Sequence, residues 1–275
     1  MTTRISRRQL DEIVSTLSER DKDILRSIRD YRYITTDQIR RVYFTASATL
    51  SSARRAATRN LNKLSALNLI GKLNRRIGGM MPGSSSTVWL LESSGEKLLR
   101  TIDNAARPRR HAFVPSTYFL AHTLAVAECH VQMIEICRHK GMKLMETRNE
   151  PDCWRQYSSG GGIIALKPDI FAVTRCGSYE DRWFFEIDLA TESPVRITDK
   201  CKRYMDYYRS GLEQEQYGVF PLVVWIVPDE ARQISIKQHI QAEFVGLPNI
   251  FEIITPGKLD TLIRQGADDM EGETR

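Results

Sequence analysis

The chain is poor in the residues that build stapled, membrane-spanning or histidine-metal proteins. Its five cysteines (Cys129, Cys137, Cys153, Cys176 and Cys201) include no C-x-x-C pair, which excludes a zinc-knuckle spacing and argues against a disulfide framework. Reduced, mostly buried thiols are the reading that remains. Cys129, His130, Cys137 and His139 do cluster, but on one helix they spread over several faces and do not converge on a metal. The five histidines (His111, His122, His130, His139 and His239) show no paired metal-binding spacing. A tyrosine-dependent relaxase with a histidine-held metal therefore ranks last among the functions considered. The longest apolar stretch, Leu222 to Val227 beside Phe220 and Pro221, is far too short to cross a bilayer. The first residues, MTTRISRRQLDEIV, have basic side chains but no apolar core or small-residue cleavage site, so no secretory signal is read. A cytoplasmic protein with no membrane partner is expected.

What is present is an ordinary globular composition, 41% hydrophobic and 27% charged over 275 residues, a length that favours two domains only softly. The charge is uneven. Residues 1–110 hold 22 Lys+Arg against 10 Asp+Glu, and residues 111–275 hold 18 against 24. A basic piece joined to a mildly acidic one suggests a polyanionic partner for the first. Of those 22 cations 18 are Arg, the side chain suited to bidentate phosphate contacts. The pattern predicts a DNA-binding domain over 1–103, a basic linker over 104–114 around Pro108, a second domain over 115–265, and a disordered polar tail over 266–275.

In the first piece, Asp21 to Tyr31 places Ile24, Leu25 and Ile28 at helical spacing, and Thr36 looks like the cap of a second helix with Ile39, Val42 and Tyr43 inward. From Leu50 a longer stripe follows through Ala53, Ala57, Leu61, Leu64 and Leu67. Arg54, Arg55, Thr58, Arg59, Asn62 and Lys63 lie mostly outside it, with no acid among them. A strand signal from Leu69 to Arg76, a Gly/Ser/Pro-rich loop over 77–86 and a strand from Thr87 to Leu91 complete a winged helix-turn-helix. Its third helix would enter the major groove of double-stranded DNA, and Arg75 and Arg76 in the wing would meet phosphates. The alternative is a winged helix that binds protein, against which the acid-free face weighs. A winged helix often works as a dimer, so a homodimer stays open, although no coiled-coil heptad is visible.

The second piece begins with a long helix from Pro115 to His139, with Leu120, Leu124, Ala127, Val131 and Ile134 inward and Glu128 beside that stripe. A strand follows around Met142 to Glu146, and Gly160, Gly161 and Gly162 read as a flexible loop. Lys167 to Val173 and Arg182 to Leu189 read as a hairpin. Alternation sends Trp183, Phe185, Ile187 and Leu189 to one face and Phe184, Glu186 and Asp188 to the other. Carboxylates side by side repel each other unless a cation or metal offsets them, and a hard ion such as Mg²⁺ or Mn²⁺ prefers oxygen ligands. Asp169 on the neighbouring strand could complete such a site. The alternative is that these acids are merely solvated at a sheet edge. Then come a helix from about Val195 to Tyr208, a buried strand from Tyr217 to Val227, a helix from Ile234 to Phe244, a strand from Ile250 to Ile254, and Lys258 to Ile263. That order predicts an α/β fold with a mixed sheet flanked by helices.

The sequence Pro168-Asp169, then Glu186-x-Asp188, then a helix with Lys200 and Tyr204 resembles the PD-(D/E)xK nuclease superfamily. Glu128 is similar in position to the acid that many members carry ahead of the first strand. Together with the winged helix and the phrases Leu120-Ala121-His122-Thr123-Leu124-Ala125-Val126 and Phe185-Glu186-Ile187-Asp188, the whole resembles the replication-relaxation family of bacterial plasmids and mobile elements. The resemblance implies a restriction-endonuclease-like domain, Asp169 and Glu186 as metal ligands, and Glu128 as an accessory acid. Asp188 stands where the superfamily has its lysine, so the catalytic cation must come from elsewhere. Arg196, Lys200, Tyr204 and Tyr208 share a helical stripe, which makes Lys200 the first substitute and Lys202 the second. The function expected is DNA binding coupled to Mg²⁺-dependent nicking or cleavage, with Glu128, Asp169, Glu186, Asp188 and Lys200 as catalytic residues and Asp169, Glu186 and Asp188 on the metal. The rival is a non-catalytic DNA-binding regulator or replication accessory, which Asp188 in the lysine position favours.

Overall fold

A computed structural model describes residues 6–73, 87–104 and 115–266. Arg75, Arg76 and the 77–86 loop, the linker apart from Asn104, and the tail apart from Gly266 lie outside the described residues. By their internal contacts two compact units form, Met1–Val131 and Gln132–Arg275.

The first unit runs α1 (Arg7–Thr16), α2 (Glu19–Tyr31), β1 (Ile34–Thr35), α3 (Thr36–Tyr43), α4 (Leu50–Ala66), β2 (Ile70–Lys72), β3 (Val88–Leu91), α5 (Ser93–Asp103) and the start of α6 (Thr117–Lys140). Helices α1 to α4 each begin with a capping box, from Ser6, Ser18, Thr35 and Thr49, in which the hydroxyl and the side chain three residues on satisfy each other's backbone N–H. The cap of α3 is Thr35 and not Thr36, because Gln38 lies three residues after Thr35 and closes the box. The strands form an antiparallel sheet in the order β1-β3-β2, and with α2, α3 and α4 they follow the chain order helix-strand-helix-helix-strand-strand. Helices α1 and α5 add to it without having been read from the sequence. The core gathers Ile24, Leu25, Ile28, Ile39, Leu61 and Leu64. Ala127 of α6 belongs to that core, and Leu120 packs with Tyr33 and Val88. The unit boundary consequently falls inside α6 and not in the 104–114 segment.

His130, near the end of this unit, is half-buried and shares a hydrogen bond with the Tyr31 hydroxyl. Burial pushes its pKa from 6.5 down to about 4, so the ring is neutral in the fold. Between those values the unfolded chain binds the proton and the folded one does not, so stability rises with pH across the window and is lost as pH falls through it. The contribution is about 3 kcal/mol. We expect wild-type protein to lose that much more stability than His130→Gln between pH 7 and pH 4 in urea unfolding; parallel profiles would contradict a neutral imidazole.

The second unit continues with β4 (Lys143–Asn149), β5 (Arg155–Ser159), β6 (Gly162–Leu166), β7 (Ile170–Cys176), β8 (Tyr179–Ile187), α7 (Pro194–Ser210), α8 (Leu212–Tyr217), β9 (Leu222–Ile226), α9 (Glu230–Glu243), β10 (Phe251–Ile254) and α10 (Leu259–Gln265). A five-stranded sheet has the order β10-β9-β8-β7-β4. Strands β8, β9 and β10 are parallel, and β7 and β4 pair antiparallel. The fold is mixed α/β, as the sequence predicts. Helices α7 and α9 cover one face, where Ile197, Tyr204 and Met205 meet Phe184, Val223 and Ile240 in a single core. Two local readings change. The glycine run is a tight hairpin turn between β5 and β6, with Gly160 and Gly161 both at positive φ, as a two-residue turn of this twist requires. Tyr217 ends a short helix, and β9 starts at Leu222. Among the described residues no helix is long and apolar enough to cross a membrane.

Candidate functional site

The acids of the second unit sit where β7 and β8 meet α7. The register that pairs Ile170 with Phe185 brings Asp169 opposite Glu186. The Asp169 N–H donates to Phe185 O (3.1 Å), and its carboxylate accepts from the Ile187 N–H (2.8 Å). Alternation places Glu186 on the face of Phe184, which α7 covers, while Trp183 stacks on Phe185 on the other. Lys200 and Tyr204, one helical turn apart, both reach Glu186: the ammonium donates to Oε2, and the Tyr204 hydroxyl donates to Oε1 at 2.5 Å.

Glu186 is 1% exposed. Burial raises its pKa to about 7 against the pull of Lys200, and Asp169 opposite adds to the rise. Burial alone would lower the Lys200 pKa, but Glu186 and Asp169 together raise it well above the usual range. The lysine therefore holds its proton firmly. Cys153 completes the surroundings, a neighbour that no local sequence pattern announces. Its thiol donates to Pro168 O at 2.9 Å, and burial, with Asp169 and Glu186 nearby, pushes it up so that it stays protonated. A second buried group is likewise not announced by local sequence: Arg155 and Tyr207 both donate to Glu213, while Arg155 lies over the Phe171 ring.

Three other sequence candidates go elsewhere. Asp188 lies just past β8, where its carboxylate accepts from Arg232 Nε (2.7 Å) and from the Ala190 N–H (3.0 Å). That second bond holds Ala190 at φ +57, a region that costs a residue with a Cβ roughly 1–2 kcal/mol. Lys202 pairs with Glu243 on the surface. Glu128, in the first unit, accepts from Arg41 (2.6 Å) and Gln38 (3.2 Å) and so ties α6 to α3. Among the described residues no group of three or more His, Cys, Asp or Glu is arranged to hold a metal.

On α4, Ala53, Ala57, Leu61 and Leu64 face the core. Arg54, Arg55, Thr58, Arg59, Asn62 and Lys63 are all exposed. Leu50, placed on the apolar stripe by its spacing, is 55% exposed because it is the first residue of the helix. Arg55 donates to Ser51 (3.1 Å), and Lys63 forms an ion pair with Asp21 (2.8 Å). Arg54 and Arg59 make no ion pair among the described residues.

No curated protein matches the chain. Among solved structures, protein VC1899 from Vibrio cholerae is similar at 11% identity and a TM-score of 0.33, over 90% of this chain and 56% of that one. The chain thus spans little more than half of that protein's length, and so weak a likeness carries no weight here. A family model described as Replication-relaxation matches residues 25–223, most of both units. The chain belongs to the replication-relaxation family.

Proposed function

We propose that the chain binds double-stranded DNA through α4 and carries in its second unit a nuclease-type centre of Asp169, Glu186 and Lys200, acting in the replication or transfer of a plasmid or mobile element. The observation that carries the reading is the outer face of α4, where Arg54, Arg55 and Arg59 stand exposed with no acid anywhere on the helix. A cationic helix presented this way suits the major groove, with arginines free for phosphate or guanine contacts. Family membership supports DNA as the ligand.

For the second unit, the two carboxylates support a magnesium ion as the group bound, since it keeps several waters and often binds through only one or two carboxylates beside substrate phosphates. Asp169 and Glu186 would hold it; Asp188, committed to Arg232, takes no part. Such an ion would polarise a phosphodiester oxygen and lower the pKa of a bound water. Lys200 keeps a positive charge beside the two carboxylates, where it would steady an anionic phosphate. Tyr204 fixes the orientation of Glu186 through the second carboxylate oxygen.

The second reading, a non-catalytic DNA-binding accessory, is favoured by the fact that both Glu186 oxygens already accept hydrogen bonds. Supercoiled plasmid incubated with the protein and Mn²⁺ or Mg²⁺ separates the two. We expect metal-dependent nicking that Asp169→Ala abolishes, together with loss of Mn²⁺ binding measured by electron paramagnetic resonance. Plasmid left intact by a wild-type protein that still binds duplex DNA would assign the accessory role.

A further inference from the structure

An acid in the first turn of α2 holds α4 in place. Asp21 is 1% exposed, although a capping acid at the head of a helix needs only its own turn and is usually solvated. In its capping box it accepts from the Ser18 N–H at 2.9 Å. It also takes two donors from α4: Asn60 Nδ2 on Oδ1 at 2.6 Å and Lys63 Nζ on Oδ2 at 2.8 Å. Residues 60 and 63 are three apart and share a helix face, so one carboxylate grips α4 at two points beside the exposed arginines. Burial works to raise the Asp21 pKa, but the bonds from Lys63, Asn60 and Ser18 outweigh it and hold the carboxyl below the usual range. A buried carboxylate that loses its cation is left poorly compensated. That penalty keeps the Lys63 ammonium on Asp21 even though its side chain is 45% exposed.

We propose that Asp21 is a positioning residue for the DNA-reading helix, fixing the roll of α4 about its own axis through Asn60 and Lys63, and that Lys63 is thereby withdrawn from phosphate contact. This rests on the reading of α4 as the DNA-binding face. It corrects the sequence assignment of Lys63 in a specific way: the side chain serves DNA binding through Asp21, while Arg54, Arg55 and Arg59 meet the polyanion directly. Asp21→Asn is the conservative probe. It keeps the size and one acceptor, but turns an amide NH₂ towards Lys63, which cannot accept from it.

The test is the salt dependence of binding to a random-sequence 30-base-pair duplex, read by fluorescence anisotropy at a temperature where circular dichroism shows every variant folded. Each lost phosphate contact lowers the steepness of log affinity against log salt by about 0.9. We expect Arg59→Ala to lower it by about that much and Lys63→Met to leave it unchanged. Asp21→Asn should weaken binding several-fold without lowering the slope, and Lys63→Arg, which retains the ion pair, should restore what Lys63→Met loses. A slope loss for Lys63→Met equal to that of Arg59→Ala overturns this inference alone, as does an Asp21→Asn protein that binds like wild type. A wild-type protein that binds no duplex overturns the DNA-binding reading and this inference with it.

Discussion

Replacing Arg54, Arg55 and Arg59 together with alanine is expected to weaken duplex binding on the order of 10²- to 10³-fold near 0.1 M salt, since each cation that meets a phosphate contributes about a decade through counterion release. The same three changes should alter folding stability little. All three side chains are exposed, exposed substitutions usually fall within roughly 0.5 kcal/mol, and alanine is the better helix former. A large effect on binding beside a small one on stability is what separates a contact surface from a structural one. A triple variant that binds within threefold of wild type would remove α4 as the reading face.

The second large effect concerns Lys200. Lys200→Met leaves the Glu186 carboxylate buried with the Tyr204 hydroxyl as its remaining side-chain donor among the described residues, and breaking a buried pair from one side costs roughly 3–5 kcal/mol. With the lysine side chain 29% exposed and Glu186 1%, the lower end, about 3 kcal/mol, is expected. Adding Glu186→Leu should recover most of it, because two apolar groups in place of a buried pair come close to neutral. Urea unfolding at pH 8 measures both. The contrast is with Arg8–Glu12, whose side chains are 91% and 63% exposed and whose removal should go unnoticed. A Lys200→Met protein that loses under 1 kcal/mol would mean that Glu186 is compensated by some other group.

Much of this was legible because local periodicity reports local structure. The apolar stripe of α4, the alternation that puts Glu186 on the face of Phe184, and the Lys200–Tyr204 spacing on α7 each depend on residues a few positions apart. The α3 cap was misplaced by one residue although its signal, Thr35 followed three places later by Gln38, was there to be read. What stayed illegible depends on distance along the chain. Glu128 finds Arg41 87 residues away, and Asp188 finds Arg232 44 residues away. No pattern within a strand or helix announces such partners, so both acids looked available for catalysis. Lys63, which the sequence offers as a phosphate contact, pairs with Asp21 42 residues before it. Cys153 became visible only when β7 and β8 were placed beside it.

The most direct measurement is the affinity of the wild-type chain for a random-sequence duplex between 50 and 300 mM salt. If α4 reads DNA with Arg54, Arg55 and Arg59, log affinity should fall against log salt with a slope of about −2.7 or steeper, at about 0.9 for each of the three arginines. A flat profile would contradict it, because the arginines of that face would then be releasing no counterions from DNA phosphates.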